Sequence, residues 1–175
     1  MIRALIGRWP RLAIRRKGGK ISTTSRIVSL NAWSWLNRLE IGDHVYIGPS
    51  ARLFALGGIT IDEGSIAGPN LTIYTSNHDF FGTATIPYSN ETISKKNVAV
   101  GKGCWLGDSV ILLPGTELGD HCLVGAGSVV RGTFPAGSIL LGNPAKVVKT
   151  LSKIQLAAKH DGLARGAFLL AGRQD

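Results

Sequence analysis

The sequence repeats every six residues over most of its length, and this period leaves few folds open to the chain. From Val100 it divides into VGKGCW, LGDSVI, LLPGTE, LGDHCL, VGAGSV and VRGTFP. The first position of each unit is Leu or Val, the second is Gly in four of the six, and the fifth is mostly small or β-branched. Units in the same phase start at residues 41 and 61, and a weaker set starts at residue 21.

A strand alternates faces with a period of two, so one inward aliphatic residue in every six predicts a short strand followed by a corner. The small fifth residue fills the corner, and we attribute Gly at the second position to a tight turn that other residues would strain. Three sides of six residues predict a coil of 18 residues, which is also the separation of Cys104 and Cys122. We therefore expect these two residues to stack on adjacent coils as buried thiols rather than to form a disulfide.

The composition agrees with a solenoid and excludes other classes of fold. Gly makes up 23 of the 175 residues, and because Gly weakens helix interiors this argues against a helical bundle. An apolar fraction of 44% is too high for a disordered chain. We predict an all-β domain over residues 21–149, a basic N-terminal segment over residues 1–20 and a short helical tail over residues 150–175.

The net charge of +9 belongs to the two ends of the chain. Residues 1–20 hold seven basic groups and no acidic one, whereas residues 21–145 hold seven basic and nine acidic groups. Because the middle is slightly acidic and has no nucleic-acid motif, we expect no nucleic-acid partner. Two interpretations stay open for residues 1–17. We favour a helix packed on this protein or a neighbouring subunit over contact with an anionic membrane surface.

The sequence predicts neither a membrane-spanning segment nor a secretory signal. No apolar run reaches the ~20 residues needed to cross a bilayer, and charges interrupt every apolar stretch of residues 1–17. The two Cys residues require no disulfide framework, which suits a reducing compartment. We expect a cytoplasmic protein, either free or held at the inner face of the membrane.

The repeat breaks at one long stretch, and such breaks in a regular solenoid are usually functional. The unit IYTSNH ends at His78, and the next unit in phase begins at about Val98. We predict that residues 79–97 leave the solenoid as a loop. An imidazole can accept and return a proton near neutral pH, so His78, where the loop departs, is the candidate general base.

These motifs resemble the hexapeptide-repeat acyltransferases over about residues 21–149. The resemblance implies a left-handed parallel β-helix of triangular section, and the handedness comes from the resemblance alone. The segment IDEGSIAGPNLTIYTSNHDF is similar to the stretch around the catalytic His of galactoside and maltose acetyltransferases. Its NHDF string is closer still to bacterial polysaccharide O-acetyltransferases of the colanic acid type.

The resemblance also implies the chemistry. Acetyl would pass from acetyl-CoA to a sugar hydroxyl or amine in a homotrimer whose active sites lie between subunits. His78 would deprotonate the acceptor for direct attack on the thioester, so no nucleophilic Ser or Cys is expected. Tyr74, Asn77 and Asp79 lie near His78 in the sequence and are candidates for binding the acceptor or orienting the imidazole. Surface-polysaccharide or nucleotide-sugar synthesis is the expected setting.

A second motif, VAVGKGCWLGDSVILLPGTELGDHCLVGAGSVV followed by LLGNPAKVVK, resembles the C-terminal half of the same enzymes. It implies that acetyl-CoA is held by Trp105, Asp108, Gly125, Ala126, Arg131, Gly132, Lys146 and Lys149. The two Lys residues follow the GNPA string, and because CoA is a polyanion they would meet its phosphates.

Two positions depart from the galactoside-type pattern. Gly48 stands where that group has Asn, and Leu56 stands where it has an acidic residue that binds substrate. We therefore expect a different acceptor site and another donor for the oxyanion pocket.

The alternative function is a non-catalytic or zinc-dependent β-helix protein of the carbonic-anhydrase-like type, which binds zinc through three His residues. His44 and His121 each occupy the fourth position of a GDH corner, where we expect solvated turn residues. The separations between His44, His78 and His121 are not multiples of the 18-residue coil, so the three side chains are not expected to stack at one place. We therefore expect no metal site. His160 lies in the polar C-terminal tail.

Overall fold

The structure, a computed structural model, describes residues 8–80 and 93–164. They form helices α1 (Arg8–Arg16) and α2 (Lys153–Ala164), a 3-10 helix (Leu36–Arg38) and a series of short strands. The strands are β1 (Lys20–Ile21), β2 (Arg26–Ile27), β3 (Leu30–Ser34), β4 (Leu39–Ile41), β5 (Tyr46–Ile47), β6 (Ala51–Phe54), β7 (Ile59–Ile61), β8 (Ile66–Ala67), β9 (Thr72–Tyr74), β10 (Ser76–His78), β11 (Ile93–Lys95), β12 (Val98–Val100), β13 (Trp105–Leu106), β14 (Ile111–Leu112), β15 (Glu117–Leu118), β16 (Leu123–Val124), β17 (Val129–Val130), β18 (Thr133–Phe134), β19 (Ser138–Gly142) and β20 (Ala145–Thr150).

The strands form three sheets that the chain visits in turn, so the fold is a three-sided solenoid. Face A contains β1, β4, β7, β12, β15 and β18, and face B contains β2, β5, β8, β13, β16, β19 and β20. Face C contains β3, β6, β9, β14 and β17. The strands of successive coils pair in parallel, and β20 adds to β19 as an antiparallel edge strand. The predicted parallel β solenoid is confirmed, whereas its left-handed sense stays a prediction.

The core consists of the first and fifth positions of the six-residue units, as the sequence predicts. Side chains at the first position point inward from the three faces in turn and are almost completely buried. Those of one coil are Ile41 (4% exposed), Ile47 (0%) and Leu53 (0%). Small or β-branched residues at the fifth position are buried beside them, including Val45, Ala51, Ser65, Cys104, Val110, Thr116, Cys122 and Ser128.

Cys104 and Cys122 are buried free thiols on adjacent coils, as expected. Each Sγ lies 3.3 Å from a backbone carbonyl oxygen, that of Gly119 for Cys104 and that of Pro135 for Cys122. A hydrogen bond with Cys122, together with burial, raises the pKa of the Cys104 thiol. Both side chains therefore serve as small apolar core residues.

The glycines at the second position have a different role from the one we expected. Neither Gly107 nor Gly119 has a positive φ, and the left-handed conformation falls instead at the fourth position, as at His44 with φ of 55°. A Cβ on Gly107 would lie 2.6 Å from the backbone N of Ala126, and one on Gly119 would lie 2.5 Å from that of Ala136. Glycine is needed there because the backbone of the next coil occupies the space of a side chain.

The length of a coil varies because one corner varies. Ile41 pairs with both Ile21 and Ile61, so the first two coils take 20 residues each rather than 18. Val100 pairs with Leu118, which gives the predicted 18 residues for a later coil. The A–B and B–C corners keep the six-residue spacing, and the C–A corner absorbs the difference.

The long excursion leaves at this C–A corner and begins as a hairpin. Strand β10 pairs antiparallel with β11, which places His78 opposite Ile93 and Ser76 opposite Lys95. The chain thus departs from the solenoid before residue 79, and it returns through a strand rather than a loop. Residues 81–92 of the predicted loop lie outside the described residues.

Helix α1 packs on the first coil at the N-terminal end of the solenoid. Ile14 is fully buried against the core. Arg15 donates through Nη2 to the carbonyl of Ile21 at 3.0 Å, and Arg11 donates through Nη1 to that of Thr23 at 2.6 Å. This is the packing on the protein itself that we favoured for the basic segment. Residues 1–7 and 165–175 of the predicted end segments lie outside the described residues.

Helix α2 packs on an A–B corner at the other end through a pair of histidines. His160 of α2 lies with Nδ1 3.0 Å from Nε2 of His121, and the two rings meet edge to face. His121 is consequently only 6% exposed, so our expectation of a solvated turn residue was wrong. Burial and the nearby His160 lower the pKa of His121. Neither described helix is long and apolar enough to cross a membrane.

Candidate active site

Four of the predicted site residues form a group at the C–A corner where the hairpin leaves. Asn77 and His78 lie in β10 and are exposed, and Asp79 follows directly after the strand. Tyr74 lies at the end of β9, one corner residue before the hairpin, with its side chain 37% exposed. We refer to Tyr74, Asn77, His78 and Asp79 as the hairpin group.

The ring of Tyr74 is held by a residue that the sequence did not point out. Phe54 of the preceding coil stacks on it with ring centroids 5.1 Å apart and planes 3° from parallel. The two residues are direct neighbours on face C because Phe54 pairs with Tyr74 in register. The stack fixes an aromatic surface and a phenol hydroxyl next to the corner that carries His78.

A second group lies along face B and the B–C corner. Trp105 is 58% exposed in β13, between Ile66 and Leu123 of the neighbouring strands. Asp108 lies at the following corner, where its backbone carbonyl accepts from the N–H of Gly127 at 2.8 Å. We refer to Trp105, Asp108, Gly125 and Ala126 as the corner group, because the last two occupy the same B–C corner one coil later.

The two predicted Lys residues lie on the edge strand of face B. Lys149 is joined to Trp105 through a row of paired residues across face B. It pairs with Ile139, Ile139 pairs with Leu123, and Leu123 pairs with Trp105. Three strand spacings of roughly 4.8 Å separate Trp105 from Lys149, or about 14 Å. Lys146 lies on the same exposed strand, opposite Leu141.

Arg131 and Gly132 do not lie with the corner group. They follow β17 at the C–A corner, where Gly132 has φ of 115° and its carbonyl accepts from the N–H of Glu117 at 2.9 Å. This is the corner of the hairpin group, two coils further along the solenoid. The structure therefore separates the eight predicted cofactor residues into one set on face B and the B–C corner and another on the C–A corner.

The hairpin group and the corner group lie at different corners of the same chain, with face C between them. A side of six residues at about 3.3 Å each spans up to roughly 20 Å. Within one chain the width of face C thus keeps the two groups apart.

The outer surface of face B is apolar, a feature that sequence reasoning missed. Its side chains form an apolar ladder of Tyr46, Ile66, Trp105, Leu123 and Ile139, with Arg26 of β2 at one end and Lys149 of β20 at the other. The sequence does contain a sign of this apolar surface, because Tyr46, Ile66, Trp105 and Leu123 each occupy the last position of a six-residue unit. The equivalent ladder of face A is Lys20, Glu40, Thr60, Ala99, Glu117 and Thr133, which suits contact with water.

Three of the four histidines lie at separate places. His44 and His121 occupy A–B corners three coils apart, and His78 lies on the hairpin at a C–A corner. Among residues 8–80 and 93–164, no group of three or more His, Cys, Asp or Glu side chains is arranged to hold a metal ion.

Comparison with known proteins identifies the family. The family model for the bacterial transferase hexapeptide (six repeats) matches residues 97–132. A protein of Escherichia coli (strain K12) named for a colanic acid biosynthesis acetyltransferase, WcaF, is 31% identical over 142 residues, which cover 81% of this chain and 75% of that protein. The chain belongs to the hexapeptide-repeat acetyltransferase family. A second relative from the same strain, named for a lipopolysaccharide biosynthesis O-acetyl transferase, WbbJ, is 32% identical over 113 residues, covering 61% of this chain and 58% of that protein.

Solved structures of family members share the fold. A hexapeptide-repeat acetyltransferase of Vibrio cholerae, complexed with acetyl coenzyme A, superposes with a TM-score of 0.68 and 23% identity over 83% of this chain and 79% of that one. A maltose O-acetyltransferase of Clostridium difficile 630 superposes with a TM-score of 0.63 and 21% identity, covering 87% and 89% of the two chains.

The structure explains the two departures from the galactoside-type pattern. A Cβ on Gly48 would lie 2.7 Å from the carbonyl carbon of Gly68 and the N of Pro69, so this corner has no room for an Asn side chain. Leu56 is 8% exposed and its carbonyl accepts from Arg38. Neither position offers a polar side chain to an acceptor.

Proposed function

We propose that this family member transfers acetyl from acetyl-CoA to a sugar hydroxyl during bacterial surface-glycan synthesis, with a sugar amine as the second possible acceptor. The observation that carries the proposal is the match to the colanic acid protein over 81% of this chain. The lipopolysaccharide O-acetyl transferase supports the same acceptor class. The acetyl coenzyme A complex of the same fold supports the donor.

His78 acts as the general base in this proposal. Its imidazole takes the proton from the acceptor hydroxyl while the oxygen attacks the thioester carbonyl carbon. The tetrahedral intermediate collapses, the C–S bond breaks, and the CoA sulfur leaves with the proton that the imidazolium returns. The acetyl group passes directly to the acceptor, and the burial of Cys104 and Cys122 in the core supports a route without a thiol nucleophile.

Acetyl-CoA lies along the B–C corner, with its reactive end near Trp105. The exposed indole offers an apolar surface to the pantetheine arm, and the backbone of Asp108, Gly125 and Ala126 offers hydrogen-bonding groups along the corner. Lys146 and Lys149, about three strands away, supply positive charge for the phosphates.

The active enzyme is a homotrimer in this proposal, because one chain does not bring its two half-sites together. Rotation about an axis parallel to the solenoid can place the hairpin group of one subunit against the corner group of the next. Tyr74, Asn77 and Asp79 then face the acceptor, and Arg131 with Gly132 reaches the cofactor of the neighbouring subunit. Burial of the apolar ladder on face B stabilises the assembly. We place the enzyme in the cytoplasm, where reduced thiols persist.

Replacement of His78 tests the general base. We expect His78→Ala to lower kcat at least ~100-fold, the usual scale for loss of a general base, while the melting temperature stays unchanged because the side chain is exposed. His44→Asn is the matched control, since Asn tolerates the left-handed conformation at that corner and His44 lies outside both groups. The assay is thiol release from acetyl-CoA in a screen of sugar acceptors. Activity near wild type in His78→Ala would remove His78 from this role.

Replacement of Trp105 tests the donor site separately. Trp105→Ala should raise the KM for acetyl-CoA and abolish the rise in melting temperature that CoA produces, whereas His78→Ala should keep that rise. An unchanged KM in Trp105→Ala would place the donor elsewhere on the solenoid.

A further inference from the structure

Three of the four Trp residues lie in the first coil and the helix on it, three coils from Trp105. Trp9 of α1 and Trp33 of β3 meet edge to face with ring centroids 5.2 Å apart. Trp9 is 52% exposed, Trp33 41%, Trp35 48%, and Leu12 beside them 49%. Large aromatic side chains gain most from burial, so a cluster of exposed Trp marks a surface for interaction.

Helix α1 presents an apolar and basic stripe on the side that faces away from the solenoid. Trp9, Leu12 and Arg16 are spaced at i, i+3 and i+7 and are exposed, so they share one face. Pro10 and Ile14 are buried on the opposite side. One face of the helix therefore packs on the solenoid, and the opposite face is exposed to solvent.

A cavity of about 240 Å³ opens beside the exposed Trp residues. It is lined by Lys17, Trp33, Ser34, Trp35, Leu36 and Asn37. The Ser34 hydroxyl oxygen is buried and has no hydrogen-bond partner among the described residues. Trp35 has φ of 51°, which is a strained conformation for so large a side chain and is typical of functional sites. The ammonium of Lys17 and the amide of Asn37 beside two indoles suit a phosphate that is attached to apolar groups.

The net charge at this end is positive. Residues 8–39 contain eight basic groups and no acidic group, whereas residues 40–145 contain five basic and nine acidic groups. The first acidic residue, Glu40, is paired with Lys20 at 2.8 Å. The N-terminal end thus complements an anionic surface, and the rest of the solenoid does not.

We propose that this end of the molecule docks on a bilayer of anionic phospholipid. We refer to α1, Trp33, Trp35 and the cavity as the tryptophan end. Trp9, Leu12 and Trp35 enter the headgroup layer, where indole rings are favoured, and the cavity at Lys17 holds a lipid phosphate. Docking in this way brings the proposed active site to a glycan carried on a membrane lipid. The docking is argued from the tryptophan end alone, whereas the delivery of the active site to such a glycan rests on the proposed function.

Co-sedimentation of the full chain with vesicles tests the charge of the tryptophan end. We expect binding to phosphatidylcholine vesicles that contain phosphatidylglycerol, little binding to phosphatidylcholine alone, and release at about 0.5 M NaCl. Arg16→Gln with Lys17→Gln should lower the partition coefficient roughly 30-fold, since each basic group near an anionic surface is worth about fivefold. Lys153→Gln with Lys159→Gln removes the same charge from exposed positions on α2 and should change it by less than about threefold.

Replacement of Trp9 and Leu12 tests the apolar contact. Trp9→Ala with Leu12→Ala should lower the partition coefficient at least about tenfold, whereas Ile154→Ala, which removes an 83% exposed side chain at the other end, should leave it unchanged. The proposal would be overturned if the wild type did not bind anionic vesicles, or if the control variants on α2 lost as much binding as the variants on α1. It would also be overturned if the Trp9 variant had an altered oligomeric mass, or if the same residues bound duplex DNA more tightly than vesicles. Both variants should keep the CoA-induced rise in melting temperature, so failure here is distinct from failure of the transferase assignment.

Discussion

Gly119→Ala gives the sharpest test of why the repeat requires glycine at its second position. A Cβ there would lie 2.5 Å from the N of Ala136 and 3.0 Å from both Cα of Ala136 and the carbonyl carbon of Pro135. Carbon atoms in ordinary contact stay about 3.5 Å apart. The neighbouring coil must therefore move by about 1 Å, and because all three atoms belong to the backbone, no side chain can rotate away to relieve the clash.

This movement separates two coils that are held together by backbone hydrogen bonds. The N–H of Gly119 donates to the carbonyl of Phe134 at 2.9 Å, and the N–H of Gly137 donates to that of Asp120 at 2.8 Å. Each bond contributes about 1 kcal/mol, and overpacking of this kind costs about 1–3 kcal/mol. We expect the free energy of unfolding to fall by about 3 kcal/mol and the melting temperature to fall by about 6–12 °C.

Two further glycines provide the controls, and circular dichroism melts provide the measurement. Gly127 has φ of 70° with open space around it, so Gly127→Ala tests conformation alone and should cost about 1–2 kcal/mol. Gly162 lies in α2 with no atom within 4 Å of a new Cβ, so Gly162→Ala should stabilise by up to about 1 kcal/mol. A Gly119→Ala melting temperature within about 2 °C of wild type would refute the steric explanation.

The buried histidine and the buried thiols give two more expected outcomes. Burial lowers the pKa of folded His121, whereas an unfolded His titrates near 6.5, so the unfolded state takes up the proton first as the pH falls. Stability should therefore drop when the pH falls below about 6.5, and His121→Asn should weaken that dependence; a wild-type melting temperature equal at pH 7.5 and pH 5.5 would contradict it. Cys104 and Cys122 should react slowly with a thiol reagent in the native protein and at once in guanidinium chloride, and rapid native labelling would show that the core is open.

The parts of the fold that depend on spacing alone were predictable from the sequence. An inward aliphatic residue every six positions specifies a short strand and a corner, wherever it occurs in the chain. Ile41, Leu53 and Val100 are therefore buried as predicted, and Cys104 stacks near Cys122 as a free thiol. The same periodicity carried the family resemblance that the comparisons then supported.

The parts that depend on contact between coils were not predictable, because a six-residue period says nothing of what stacks on a given corner. His121 and His44 both occur in a GDH string, yet His121 is buried because α2 returns to it with His160. Gly119 likewise matches a turn glycine in the sequence, and only the position of Ala136 on the next coil shows that the requirement is steric.

The candidate site divides in the same way. The sequence by itself determined which residue types are available: an imidazole where the repeat breaks, an exposed-strand Trp, and two Lys after GNPA. The tertiary structure decided where they lie, since His78 leaves on a hairpin at one corner while Trp105 lies on another face. It also gathered Trp9, Trp33 and Trp35, which are separated by up to 26 residues, at one positively charged end. The number of residues between two positions does not say which corner or coil each one occupies, because the C–A corners differ in length.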